Sequence, residues 1–375
     1  MKTIYLDNQS TTKVDPIVID EMLPYLNEKY GNASSKTHVL GWESNEAIII
    51  AKERIANLIN AKYDEIYFTS GATESINIAL KSTKPNHIIT LNTEHTVTLD
   101  ICDYLKSKSC DITYISVPNN GIISLDHIRK YIKSETSLIS IMHAHNEIGV
   151  IQPIKEIGQL CKDNGILLHV DAAQSAGKIP IDVVKMNIDL LSISSHKMYG
   201  PKGMGALFIK RKQPRIAVSP LFHGGGQQNG IRPGTLPVHI IVGFGKACEI
   251  SQENMGAESN NLLKLREHLY KRIIKDVTNV KINGDLVKRL PGNLNITFNG
   301  NQSEKIIMKL RNIALSNGSA CTSNSTKPSY VLKAIGRDDN EAHSSIRFSI
   351  GRFNTIEEID YTVDKILTII KNREG

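Results

Sequence analysis

Between residues 66 and 211 the chain presents seven short runs rich in β-branched residues: "EIYFTS", "HIITL", "ITYISV", "LISIMHA", "ILLHVDA", "LLSISS" and "GALFIKR". Amphipathic stretches such as "ESINIALKS", "TLDICDYLKSK" and "IKEIGQLCKDNG" lie between them. Near-continuous apolar strands separated by helices require a mainly parallel sheet covered on both faces. The expected fold is therefore α/β, with a mainly parallel seven-stranded sheet sandwiched by helices. Ligands on such sheets bind beyond the carboxyl ends of the strands. The polar motifs fall there, after "FTS", "IMHAH", "HVDA" and "ISS".

Residues 216–237 are rich in Gly and Pro and predict an ordered loop, followed by a long helix, "HIIVGFGKACEISQENM". Beyond about residue 256 the pattern changes to helix, strand pairs and a closing helix. This grammar predicts a large domain, 14–255, and a smaller α+β domain made of 1–13 and 256–375. A chain of 375 residues is long enough for that division.

The formal net charge of +7 comes from scattered Lys and Arg. A nucleic-acid binder concentrates such charge on one face, so no nucleic-acid partner is expected. No apolar run approaches the roughly 20 residues of a membrane span. "MKTIYLD" begins a strand-like segment at once, which leaves no room for a leader and predicts a cytoplasmic protein. The alternative location is the matrix of a mitochondrion or related organelle, which is also reducing. Five widely spaced cysteines argue against disulfides, and no Cys/His pair has the spacing of a metal site.

Six motifs carry chemistry. In "SSHKMYGPKG" a strand ends in Ser194, His196 and Lys197. A lysine at a sheet edge is partly desolvated, which makes its amine a nucleophile for carbonyls. In "HVDAAQS" Asp171 lies just past an apolar strand, where a bare carboxylate is costly unless it meets a cation. Such an aspartate against a protonated pyridine, with a lysine Schiff base, is what pyridoxal 5'-phosphate requires. "FTSGATES" leads through Gly71 and Ala72 into a helix, whose free N–H groups, with Thr73, make an anion cradle. "TEH" offers His95 to lie over an aromatic ring, "HNEIGV" supplies Asn146, and "HSSIRFSIGR" supplies Arg347 as a carboxylate clamp. Together they demand a phosphate, a pyridinium, a Schiff-base lysine and an amino-acid carboxylate.

These motifs, with "YLDNQSTT", "GGGQQNGIRPGT", "NGSACTS" and "PSYVL", resemble the fingerprint of the NifS/IscS cysteine desulfurases. That family consists of fold-type I pyridoxal-phosphate enzymes, and the likeness runs in order from about residue 4 to 370, closest to the housekeeping branch serving iron–sulfur cluster assembly. The resemblance implies that Lys197 carries the cofactor, Asp171 pairs with its ring nitrogen, Gln174 bonds its ring hydroxyl and His95 stacks on the ring and moves protons. It places the phosphate on Gly71, Thr73, Ser194 and His196, with Thr235 reaching in from the partner of a homodimer. Asn146 and Arg347 would hold the carboxylate of L-cysteine. Sulfur would pass as a persulfide on Cys321 to a scaffold or other acceptor protein, with tRNA thiolation as a second outlet. Ser195, Asn229, Lys327 and Ala33 depart from the usual family residues, none of them at an assigned position. Housekeeping members usually continue past the stretch matching "KNREG", so docking through a tail is not carried over.

Cys321 stands in "ALSNGSACTSNS", a loop composition with no helical stripe. A thiol that must attack a substrate and then deliver sulfur elsewhere needs such a mobile setting, with small neighbours Gly318, Ser319 and Ala320. Cys102, Cys161 and Cys248 fall in helical patterns and read as packing residues. A selenocysteine lyase, another β-lyase or an aminotransferase on the same fold is the enzymatic alternative, which "NGSACTS" disfavours because an aminotransferase needs no mobile thiol. A non-catalytic scaffold-binding platform would predict a missing lysine or cysteine, and both are present.

Overall fold

The computed structural model describes residues 3–317 and 327–371. Its strands, in chain order, are β1 (Ile4–Tyr5), β2 (Ile66–Thr69), β3 (His87–Leu91), β4 (Asp111–Ile115), β5 (Thr136–Met142) and β6 (Leu167–Asp171). They continue with β7 (Leu190–Ser194), β8 (Gly205–Ile209), β9 (Val280–Ile282), β10 (Asn293–Phe298), β11 (Ile313–Ala314) and β12 (Ser345–Ser349). Strands β2 to β8 form one seven-stranded sheet in the order β2-β8-β7-β6-β5-β3-β4. β7, β6, β5, β3 and β4 run parallel, and β8 lies antiparallel between β2 and β7. Each of the seven apolar runs of the sequence supplies one of these strands.

Alternate residues of the strands point to opposite faces. Ile88, Leu190 and Leu207 enter one apolar cluster, with Ile76 and Leu80 of the helix Ala72–Ser82 and Ile101 of the helix Thr96–Lys106. Their neighbours Ile89, Leu191 and Phe208 enter the opposite cluster, with Ile48 and Ile55 of the helix Val39–Ile59. Polar residues inside the sheet pair across it. His169 of β6 bonds Ser140 of β5 at 2.8 Å and Ser192 of β7 at 3.0 Å. Burial pushes that imidazole down to about 3, so it is a neutral linker between strands.

The long helix of the sequence reading does not stop near residue 255; it runs unbroken from Val238 to Asp276, 39 residues. Its first half buries Ile241, Val242 and Cys248 against the main sheet's cluster, and Gly245 lets Ala51 approach so closely that a Cβ would lie 2.7 Å from its Cα. Its second half buries Leu262, Leu265, Leu269 and Ile273, spaced 3, 4 and 4 residues apart, in a separate cluster. With both halves pinned, the exposed Gly256 between them costs the helix only about 1 kcal/mol. The second cluster also takes Ile4, Leu6, Ile296, Phe348 and Ile366. Around it lie the antiparallel sheet β12-β10-β9 and the parallel pair β1-β11. Among the described residues no helix is long and apolar enough to cross a membrane.

Candidate active site

A cavity of about 580 Å³ opens beyond the carboxyl ends of β2, β6 and β7, within the range of small-molecule sites. Parallel pairing explains the convergence, because strands that run the same way end on the same edge. Gly71, Ala72 and Thr73 line the cavity where β2 turns into the helix Ala72–Ser82. Gly71 has a φ of 151°, which a side chain disfavours, and a Cβ there would project into open space. Behind it Gly205 of β8 packs so tightly that its own Cβ would sit 2.7 Å from Gly71 Cα. The result is a bare helix N-terminus facing the cavity. Ser194 and His196 flank the same end. His196 Nδ1 lies 3.0 Å from Thr11 Oγ1, and burial followed by the charges of Lys197, Lys202 and Lys178 lowers its pKa to about 4.

Lys197 closes the short turn after β7, and its ammonium donates to the carbonyls of Gln9 at 2.6 Å and Ser10 at 2.7 Å. Asp171, the last residue of β6, is 4% exposed and accepts a backbone bond on Oδ1 from Ala173 N at 2.9 Å. Burial raises its pKa, against that bond and the charges of His95 and Lys197. A carboxylate so placed on a cavity wall is poised for a cationic N–H. His95 caps the helix Thr96–Lys106 by accepting Val97 N at 3.2 Å on Nδ1, which leaves its neutral-form proton on Nε2. Gln174 is buried on the cavity wall, and its Nε2 donates to Gln9 O at 2.9 Å.

Arg347 and Asn146 also line the cavity. Arg347 spends Nη1 on the Asn146 carbonyl at 2.8 Å and Nη2 on Asp7 at 2.6 Å and Ser10 Oγ at 2.7 Å. Its Nε and the Asn146 Oδ1 are buried without hydrogen-bond partners among the described residues. A buried donor of this kind is costly unless something arrives to accept from it.

Among the described residues, one assigned residue does not line the cavity. Thr235 is exposed, in a loop tied back to the helix Ala72–Ser82 by Arg232 and Glu74, whose Nε and Oε1 are 2.9 Å apart. Cys321 lies outside the described residues. The chain on either side of its loop meets the cavity wall: Arg347 N donates to Ser316 O at 2.8 Å, Ser329 Oγ donates to Glu147 Oε2 at 2.6 Å, and Tyr330 OH donates to Glu94 O at 2.5 Å. Cys102, Cys110, Cys161 and Cys248 are buried, and burial pushes the thiols of Cys102 and Cys161 up to about 12. They are packing residues.

Sequence reasoning assigned no role to Gln9, Ser10, Thr11 or Asp7, although "YLDNQSTT" stood among the quoted motifs. Nor did it single out Glu147, buried on the wall, whose carboxyl burial raises to about 7. Among the described residues no group of three or more His, Cys, Asp or Glu is placed to hold a metal ion.

The aminotransferase class-V family matches residues 4–362. The chain is 52% identical to a probable mitochondrial cysteine desulfurase of Dictyostelium discoideum, over 96% of this chain and 81% of the relative. It is 49% identical to the cysteine desulfurase IscS of Ehrlichia chaffeensis, over 98% of this chain and 91% of the relative. The chain belongs to the cysteine desulfurases of the class-V aminotransferase family. A solved NifS-like protein, 36% identical, superposes with a TM-score of 0.91 over 98% of this chain and 99% of its own. Members of this family are pyridoxal-phosphate-dependent sulfurtransferases, so the fold and the activity expected from the sequence both hold.

Proposed function

We propose that this desulfurase holds pyridoxal 5'-phosphate through Lys197, Asp171 and the Gly71–Thr73 cradle, takes L-cysteine as substrate, and transfers its sulfur to Cys321. The observation that carries this reading is the convergence on one cavity of a held lysine ammonium, a buried strand-end carboxylate and a bare helix N-terminus. When bound, the cofactor supplies an electron sink for the substrate carbon. Asp171 would keep the ring nitrogen protonated, and Ser194 and His196 would complete the phosphate site. His95 would lie against the ring, with Nε2 as its proton-bearing atom.

The substrate carboxylate would accept from Arg347 Nε, an N–H left unpaired among the described residues, with Asn146 beside it. Lys197 Nζ, once released, is the base placed to move protons at the substrate carbon, and the carbonyls of Gln9 and Ser10 orient it. The Cys321 thiolate then attacks the substrate sulfur: a sulfur–sulfur bond forms, the carbon–sulfur bond breaks, and its electron pair stays with the carbon. L-cysteine and the thiol become L-alanine and a persulfide, which an acceptor protein of iron–sulfur assembly would receive. Ser316, bonded to Arg347, and Ser329 and Tyr330, bonded to Glu147 and Glu94, flank in sequence the segment that would carry Cys321 to the substrate.

The same proposal includes a homodimer, in which the exposed Thr235 would meet the phosphate of the partner subunit's site. It also includes the division into 14–255 and the remainder, which the two separate apolar clusters support apart from Val331, Leu332, Ile335 and Ala342, which pack in the main sheet's cluster. A reducing compartment, bacterial cytosol or organelle matrix, keeps the nucleophilic thiol free.

The deciding experiment titrates reconstituted protein with L-cysteine while its visible spectrum, alanine and protein persulfide are measured together. Equal alanine and sulfur with a spectral change is expected; a colourless protein that cannot be reconstituted overturns the reading. Gly71→Val is expected to weaken pyridoxal-phosphate binding by about tenfold or more, the equivalent of ~1.4 kcal/mol, because the new side chain enters the cradle. Titration of cofactor-free protein measures it, and an unchanged dissociation constant would move the phosphate elsewhere.

A further inference from the structure

Lys178 stands behind Gln174, on the side away from the main cavity. It lines a separate cavity of about 20 Å³ with Gln9, Tyr199, Glu258 and Asn293. Its ammonium donates to Gln174 Oε1 at 3.3 Å. Gln174 Nε2 donates to the Gln9 carbonyl at 2.9 Å, and that carbonyl also accepts Lys197 Nζ at 2.6 Å. A hydrogen-bonded chain thus runs from Lys178 through Gln174 and Gln9 to Lys197.

The two ends of a glutamine amide are nearly equal in size, so its partners decide which way it faces. An ammonium suits only the Oε1 end and a carbonyl only the Nε2 end. Lys178 and Gln9 therefore impose the same orientation, and Nε2 keeps a second N–H for a ligand in the main cavity, which Gln174 lines. Without the ammonium, one of these two constraints is gone and the acceptor end can turn toward the cavity.

We propose that Lys178 is a positioning residue that fixes Gln174 as a hydrogen-bond donor to the ring oxygen of pyridoxal phosphate and, through that amide, favours the deprotonated form of this oxygen. The inference rests on the reading of the main cavity as the pyridoxal-phosphate site. The charged groups facing Lys178 are Lys197 and Arg347, which oppose its charge, and Glu258, which favours it. Glu258 is already paired with Arg352 Nε at 2.7 Å. Burial and then Lys197 lower the Lys178 ammonium to about 7, and an anionic ring oxygen one amide away would raise it again.

The test is a pH titration of the visible band of reconstituted enzyme in the native protein, Lys178→Met, Lys178→Arg, Gln174→Ala and the Lys178→Met/Gln174→Ala pair. Lys178→Met is expected to raise the midpoint by about one pH unit, a tenfold change in proton affinity. Lys178→Arg should return it to within about 0.3 unit, since the cation is restored. In the Gln174→Ala background the Lys178→Met shift should shrink to less than about half, because the connecting amide is gone. A midpoint unmoved by Lys178→Met, or moved equally in both backgrounds, overturns the proposal. If Lys178→Met does not fold by circular dichroism, Lys178→Gln replaces it, with a shift of the same sign expected. A native protein that shows no visible band after reconstitution instead overturns the cofactor assignment, a result that separates the two failures.

Discussion

Lys197→Ala is expected to abolish the visible band of the reconstituted protein and to cut alanine formation from L-cysteine by at least ~10²–10⁴-fold, the contribution of one positioned proton-transfer group. No other described amine is placed to substitute. Lys178 faces a different cavity and is bonded to Gln174, and Lys202, although it lines the main cavity, is exposed to solvent. The Gln9 and Ser10 carbonyls hold the native ammonium at 2.6 and 2.7 Å, and the shorter side chain leaves both facing the cavity. The proposed phosphate contacts at Gly71 and His196 would remain, so the variant should still bind the cofactor weakly, by equilibrium dialysis, without the native spectrum. An unchanged spectrum would remove Lys197 from the mechanism.

Cys321→Ala should do the reverse: keep the visible band and its response to L-cysteine, and lose sulfur transfer by on the order of 10²-fold or more, as when a nucleophile is deleted. In the proposed site the cofactor and carboxylate contacts belong to other residues, so the spectrum should be retained. The remaining described thiols cannot take over. Cys102, Cys110, Cys161 and Cys248 are buried, and burial raises the pKa of each, so little thiolate exists near neutral pH. Protein persulfide is measured by mass spectrometry after a single addition of L-cysteine. Full sulfide release by the variant would place the nucleophile elsewhere.

Much of the site was legible because its side chains stand at strand ends. Asp171 closes β6, Lys197 follows β7, and Gly71 follows β2, all visible as polar residues after apolar runs. What was not legible is mostly backbone chemistry. The groups that hold the Lys197 ammonium are carbonyls of Gln9 and Ser10, and a carbonyl looks the same beneath every side chain. Asp7 against Arg347 and Lys178 against Gln174 join residues 340 and 4 positions apart, and neither spacing announces a pair outside a regular helix. The run of the long helix past Met255 was hidden for a different reason. The stretch around Gly256 is polar and carries a weak helix former, yet apolar stripes on either side, ending in Ile250 and beginning at Leu262, pull the backbone through as one helix.

The sequence by itself determined the sheet, its mainly parallel sense and the edge on which chemistry gathers, because hydrophobic periodicity and strand–helix alternation are local properties that survive without coordinates. Tertiary structure alone decided how that edge is furnished. It set Gln9 and Ser10 over Lys197, left Arg347 Nε without a partner among the described residues, and placed a second lysine behind Gln174. Those relations depend on where distant segments come to rest, and distances between remote residues are written in packing, not in composition.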